Sequence, residues 1–153
     1  EEGRRLRAEG CKVVTSKSAK NPTRRTPTQE CLVSKGGNSF VVNLESIGEG
    51  VFDRWQHLRG STLKVGPAVT SIGDYAFKHS ALTGIDLSEA TALQTIGNQA
   101  FYESTQLTGT LKVGPAVTSI GRWAFARTDL TELDLSEATA LQTIGRYAFG
   151  NTP

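Results

Sequence analysis

Apolar residues recur along this chain in two superimposed rhythms. The first is a short alternation of apolar, polar and apolar: Leu63-Lys64-Val65, Ile85-Asp86-Leu87, Leu111-Lys112-Val113 and Leu133-Asp134-Leu135. Alternation with period two predicts strands whose outer residues face a core and whose middle residue faces solvent. The second rhythm is an Ile-Gly pair with a phenylalanine four residues after the glycine. It falls at Ile47/Gly48/Phe52, Ile72/Gly73/Phe77, Ile96/Gly97/Phe101, Ile120/Gly121/Phe125 and Ile144/Gly145/Phe149. Three residues before each Ile stands Leu44, Val69, Leu93, Val117 or Leu141, and just before each Phe stands Val51 or an alanine. The isoleucines are 25, 24, 24 and 24 residues apart, so the unit is about 24 residues long.

Two kinds of unit alternate. Residues 63–97 and 111–145 are copies of one another, identical at 27 of 35 positions. A unit this short cannot bury its apolar face alone, whereas stacked neighbours can, so the repeat predicts a solenoid. Phe52, Phe77, Phe101, Phe125 and Phe149 then form one ladder in the core. Burial of each side chain is worth roughly 1.5–3 kcal/mol.

The pattern L-x-(I/L/V)…V-T-x-I-G-x-x-A-F, clearest in VTSIGDYAF (69–77) and VTSIGRWAF (117–125), resembles the BspA-like leucine-rich repeat. The resemblance covers residues 39–153. It implies an α/β repeat: a right-handed, curved leucine-rich-repeat solenoid with a short-stranded parallel sheet on one face and turns or short helices on the other. It also implies a cell-surface or secreted setting and a role in adhesion or recognition. Two departures stand out. Where the family often has Cys three residues after the Phe, this chain has Ser80, Ser104, Thr128 and Thr152. The Asn of better-known leucine-rich repeats is absent.

The ends of the array differ from its middle. Residues 30–44 predict a hairpin, with turn chemistry at Lys35-Gly36-Gly37-Asn38, that caps the solenoid and supplies Phe40–Val42 as the first array strand. Residues 1–29 predict a basic flexible tail or linker. The final GNTP stops where another strand is due, so the array is expected to be truncated there, with an open end suited to end-to-end self-association. A chain that opens on Glu1 is expected to be a piece of a longer protein, with any signal peptide outside it.

Charge and composition narrow the function classes. Residues 1–35 carry nine Lys/Arg against four Glu, whereas residues 36–153 carry eight Lys/Arg against eleven Asp/Glu. The basic head has no interleaved aromatics, so nucleic acid is a poor fit, and a solvated tail is the plainer reading. The apolar runs are far too short for a membrane-spanning helix. Cys11 and Cys31 lack the partners of a zinc site, and either one disulfide or two free thiols fits them. His57 and His79 follow two successive ladder phenylalanines at different offsets, as loop histidines do. No phosphate-loop, dinucleotide-binding or H-E-x-x-H motif and no usable N-glycosylation sequon occurs. No catalytic residue, cofactor or metal site is therefore expected.

Two outward rows are the candidate binding features. Lys64, Asp86, Lys112 and Asp134 share one strand position, which predicts a row of alternating sign across the sheet. It reads first as self-neutralising register support and second as part of a binding face. Two residues after each repeat glycine stand Gly50, Tyr75, Gln99, Trp123 and Tyr147. The aromatic members, Tyr75, Trp123 and Tyr147, suit stacking on a ligand, although packing on the neighbouring turn is the plainer reading. The expected function is a non-enzymatic binding or adhesion module for a protein or surface ligand. The alternatives are a structural spacer in a longer array and an accessory domain of a larger enzyme.

Overall fold

A computed structural model describes residues 11–13, 16–17, 25–26, 31–33, 39–42, 45–54 and 56–153. Most of the basic head, the turn at 35–38 and the side chains of both cysteines lie outside the described residues. Four short strands lie before the array: β1 (Cys11–Val13), β2 (Ser16–Lys17), β3 (Arg25–Thr26) and β4 (Cys31–Val33). β1 pairs antiparallel with β4, and β2 with β3.

The array is built from two parallel ladders rather than one. The dipeptides before each repeat glycine are strands β6 (Ser46–Ile47), β8 (Ser71–Ile72), β10 (Thr95–Ile96), β12 (Ser119–Ile120) and β14 (Thr143–Ile144). They stack in register, Ile on Ile, as one five-stranded parallel sheet. The alternating tripeptides make the second sheet. Here β5 (Ser39–Val42), β7 (Thr62–Val65) and β9 (Gly84–Asp86) pair in parallel, with Phe40 opposite Leu63 and Val41 opposite Lys64. β11 (Thr108–Lys112) and β13 (Asp129–Asp134) form a separate parallel pair with a register shift at Gly109/Thr110.

The expected α/β character is not borne out. Among the described residues no α-helix forms, and the one helical element is a single 3-10 turn at Gln56–Leu58. The segment after each repeat glycine carries a residue with positive φ two places on and another six places on. In one coil these are Tyr75 (59°) and His79 (53°), and in the next Gln99 (53°) and Glu103 (54°). A left-handed residue every four positions is incompatible with an α-helix. It suits overlapping β-turns instead: Ala76 donates to Gly73 O, Lys78 to Tyr75 O and Ser80 to Phe77 O. Tyr75 and His79 occupy the third place of their turns, where a type II turn needs φ above zero.

The remaining amides of this segment build a third ladder, made of turns. Tyr75 N–H donates to Asn98 O, Phe77 to Ala100 O and His79 to Tyr102 O, all in the following coil. The same three bonds recur at each of the four coil-to-coil steps from Gly50 to Arg127, always from the earlier coil to the later. Each coil therefore has three sides, two of sheet and one of turns.

The repeat glycine is needed for space, not for its φ. A Cβ on Gly97 would lie 2.6 Å from Asp74 N and from the Gly73 carbonyl carbon, and one on Gly121 2.5 Å from Asn98 N. At Gly48, the first of the series, it would meet only the Val51 side chain, at 3.2 Å. Each later coil therefore passes its predecessor at glycine contact distance. The phenylalanines follow from that spacing. Phe52, Phe77, Phe101 and Phe125 are fully buried, and Phe149 is partly buried. Successive ring centroids along the ladder are 4.8, 5.1, 4.9 and 5.4 Å apart, with planes within 13° of parallel. That geometry matches offset stacking at the strand repeat distance.

Candidate interaction surface

Asp86 stands opposite Lys64, and Asp134 opposite Lys112. The run is interrupted between Asp86 and Lys112, because β9 and β11 belong to different ladders. The two aspartates have a more local partner. Asp86 Oδ1 accepts the Ser88 N–H at 2.9 Å, and Asp134 Oδ1 accepts that of Ser136 at 2.8 Å. These are Asx turns, which close the chain at the end of the strand. Hydrogen bonding from Ser88, with Lys64 nearby, holds the Asp86 carboxyl below the usual carboxylate range. Ser136 and then Lys112 do the same for Asp134. Lys112 pairs with Glu137 at 3.1 Å, which raises its pKa more than Asp134 does.

The alternation of sign thus follows from two turn chemistries. Units reading L-D-L-S need Asp to close the turn through its side chain. Units reading L-K-V-G-P turn with Gly-Pro, where Val69 N–H donates to Gly66 O, and so leave the middle position free for Lys. Beside this row lies a shallow depression of about 260 Å³ lined by Leu87, Ala90, Lys112, Gly114, Pro115 and Glu137 among others. It is smaller than an ordinary small-molecule site.

The turn side is richer. Tyr75, Gln99, Trp123 and Tyr147 all occupy left-handed positions, with Gly50 in the same place in the first coil. The rings are not isolated. Trp123 and Tyr147 lie 4.6 Å apart, and Tyr102 sits edge-on to Trp123 at 6.2 Å. Lys78 Nζ lies 5.3 Å from the Tyr75 ring centre and 5.5 Å from that of Tyr102. Arg146 lies over Tyr147 at 4.7 Å and donates to its hydroxyl at 2.9 Å. All three tyrosines of the chain are on this side.

A second row on the same side is a polar ladder that the sequence reading missed. Glu103 receives His79 Nδ1 at 3.2 Å from one neighbouring coil and Arg127 Nη1 at 2.8 Å from the other. The spacing 79, 103, 127 was available as a signal, since these are residues six places after successive repeat glycines. Tyr102, one place earlier, is also a member that the predicted row omits; the rings of His79 and Trp123 both meet it edge-on. His57 lies on the 3-10 turn, with its side chain outside the described residues, and the structure gives it no relation to His79. Among the described residues no three His, Cys, Asp or Glu side chains gather as a metal site would require.

The positions where the family often has cysteine carry a hydroxyl ladder. Ser80, Ser104 and Thr128 are buried. Ser80 and Ser104 Oγ lie 3.1 Å apart, Ser104 donates to Phe77 O at 2.8 Å, and Thr128 donates to Phe125 O at 2.8 Å. The buried hydroxyls of Ser104 and Thr128 are thus hydrogen-bonded to turn carbonyls, and Phe77 O accepts from Ser104 as well as from the Ser80 N–H.

No curated protein and no solved structure matches the chain. The BspA type leucine rich repeat region does match, in six copies across residues 37–153, one copy more than the five Ile-Gly-Phe units counted above. Six tandem copies spanning most of the chain, on a framework of stacked coils, place this protein in the BspA-type leucine-rich-repeat family.

Proposed function

We propose that this protein is a non-enzymatic recognition module and that the turn side of its solenoid is the binding surface. The observation that carries this reading is internal. The eight differences between the two 35-residue copies all fall between residues 74 and 85 and their counterparts 122–133. Asp74, Tyr75, Lys78 and His79 in one copy become Arg122, Trp123, Ala126 and Arg127 in the other. The other four differences are Ser80/Thr128, Ala81/Asp129, Gly84/Glu132 and Ile85/Leu133, the last two within strands β9 and β13, while the Gly-Pro and Asx turns and the charged pairs are repeated unchanged. A surface that varies on a constant framework suits recognition, and Trp, Tyr and Arg are the residues that dominate binding energy at interfaces. Adhesion at a cell surface is the setting that membership of the family suggests.

The spacer reading has one observation in its favour, the constancy of the sheet row Lys64, Asp86, Lys112 and Asp134. Photo-crosslinking in the cells that make the protein separates the two. A crosslinker at position 123 is expected to give a discrete adduct that untagged wild-type protein competes away, and one at position 64 is expected to give none. Adducts from position 64 alone would transfer recognition to the sheet row. No adduct from either position would favour the spacer.

A further inference from the structure

We infer that the C-terminal part of the turn side, formed by Arg122, Trp123, Arg146 and Tyr147, docks an acidic polypeptide segment of a partner protein. This rests on the turn-side reading above and names the chemistry of its partner. The starting point is the residue that follows each repeat glycine: Glu49, Asp74, Asn98, Arg122 and Arg146. Along the array this position runs from acidic through neutral to basic. In the middle coils it has a structural duty. Asp74 Oδ1 accepts the Asn98 N–H at 2.7 Å, and Asn98 Oδ1 accepts the Arg122 N–H at 2.8 Å, so each side chain caps the next coil. Arg122 breaks that series, because a guanidinium has no acceptor to offer the next amide. The framework alone would favour Asp or Asn here, and Asp is what the other copy has.

The charge is also unbalanced. Arg122 and Arg146 occupy equivalent places in adjacent coils, with Trp123 N–H donating to Arg146 O between them. Like charges stacked at strand spacing repel. Two other cations of the array have carboxylate partners, Lys112 with Glu137 and Arg127 with Glu103, and Lys78 lies over the rings of Tyr75 and Tyr102. Both Arg122 and Arg146 are exposed, and among the described residues neither meets a carboxylate. A carboxylate between them would relieve the repulsion and accept charge-assisted hydrogen bonds.

The aromatic geometry selects polypeptide over sugar or nucleobase. Stacking a sugar or a base needs a free ring face. Here Trp123 and Tyr147 lie against each other, Tyr102 meets Trp123 edge-on, and the Arg146 guanidinium lies over Tyr147. These contacts engage ring faces within the protein, and the exposed Arg122, Arg146 and Tyr147 add guanidinium and phenol hydroxyl beside them. Such a surface meets backbone carbonyls, carboxylates and apolar side chains, as binding-protein paratopes do.

The test uses the full chain and a fluorescent random Glu-Tyr copolymer, with heparin and oligo-dT as competing anions. The copolymer is expected to bind, and Arg122→Glu with Arg146→Glu to weaken it at least tenfold. Trp123→Ala is expected to weaken it several-fold in a way that added salt does not erase. Arg24→Glu with Arg25→Glu, in the basic head, and Lys64→Glu, on the sheet row, are expected to leave affinity within twofold. Thermal melts confirm that each variant is folded, and exchanging residues 122–127 for the 74–79 sequence gives a second variant that the framework already accommodates. Absence of copolymer binding overturns the inference, as does a loss that follows the head substitutions instead. Tighter binding of heparin or oligo-dT through the same arginines would make the occupant a glycan or a nucleic acid. Crosslinking from position 123 that persists when the copolymer fails would remove the acidic polypeptide and leave turn-side recognition standing.

Discussion

The sheet sides and the turn side of this solenoid solve the same stacking problem with opposite uses of glycine. Where each coil crosses its predecessor beside the Ser-Ile sheet, glycine is required although its φ is ordinary, because a Cβ would lie within 3 Å of the neighbouring backbone. On the turn side, left-handed residues recur twice per coil, yet apart from Gly50 in the first coil these positions hold Tyr, His, Gln, Glu, Trp, Arg and Asn. A non-glycine residue there costs roughly 1–2 kcal/mol. The cross-coil N–H···O bonds made by those same residues offset the cost. The chain thus has glycine where the space is short and gives up glycine where a side chain is displayed. A position that keeps a large side chain against its own backbone preference is a position where the side chain matters.

The largest expected effect tests whether the turn side shares in the core. Phe101 is fully buried between Phe77 and Phe125, and Phe101→Ala should cost about 3–5 kcal/mol in a denaturant melt. A loss under 1 kcal/mol would mean that the turn ladder stands without its ring stack. The next effect contrasts two nearby sites. Gly97→Ala drives a methyl into the Asp74 backbone and should cost about 1–3 kcal/mol. Gln99→Gly, two residues on, relieves a left-handed Cβ and should be neutral or stabilise by up to about 1 kcal/mol, after the added freedom of the unfolded chain is counted. Equal losses at the two sites would erase the distinction drawn above.

The smallest effect belongs to the sheet row. The folded-state pKa values of Asp86 and Asp134 are depressed. Their contribution to stability is therefore present above the unfolded carboxyl pKa near 3.9 and is lost as pH falls through the lower folded value. Melting temperature measured from pH 6 downward should fall below about pH 4, and Asp86→Asn with Asp134→Asn should reduce that acid dependence. An unchanged acid limb would show that neither Asx turn contributes measurably.

Much of this framework was legible because side chains repeat with the coil. A 24-residue grid of Ile, Gly and Phe can be read directly, and it leads to the stacked ladder and the first strand at Phe40–Val42. The five-stranded sheet escaped notice because Ser-Ile and Thr-Ile are two residues long, too short to show alternation. The helices expected on the far side failed because left-handed φ at Tyr75 or Trp123 leaves no trace in residue type when glycine is absent. The alternating Lys and Asp were visible, but their cause lay in the turns that follow them, Gly66-Pro67 against Leu87-Ser88. The His79–Glu103–Arg127 ladder was hidden for a simpler reason. Its members differ in kind, so only their common distance from the repeat glycine relates them.

The turn ladder's hydrogen bonds all run one way, three at each step, with every N–H directed toward the later coil. In a parallel sheet the bonds between neighbours alternate in direction and their dipoles largely cancel. Here nothing alternates, so the peptide dipoles add, as they do along an α-helix. The sense is reversed. An α-helix is positive at its N-terminal end, whereas this column of turns is positive toward its C-terminal coils. The solenoid is therefore an electrically polar rod along one edge, and its positive pole lies at the end where Arg122 and Arg146 stand. A carboxylate approaching there would feel the backbone field as well as the guanidinium groups, and reversing both arginines would leave the backbone part in place.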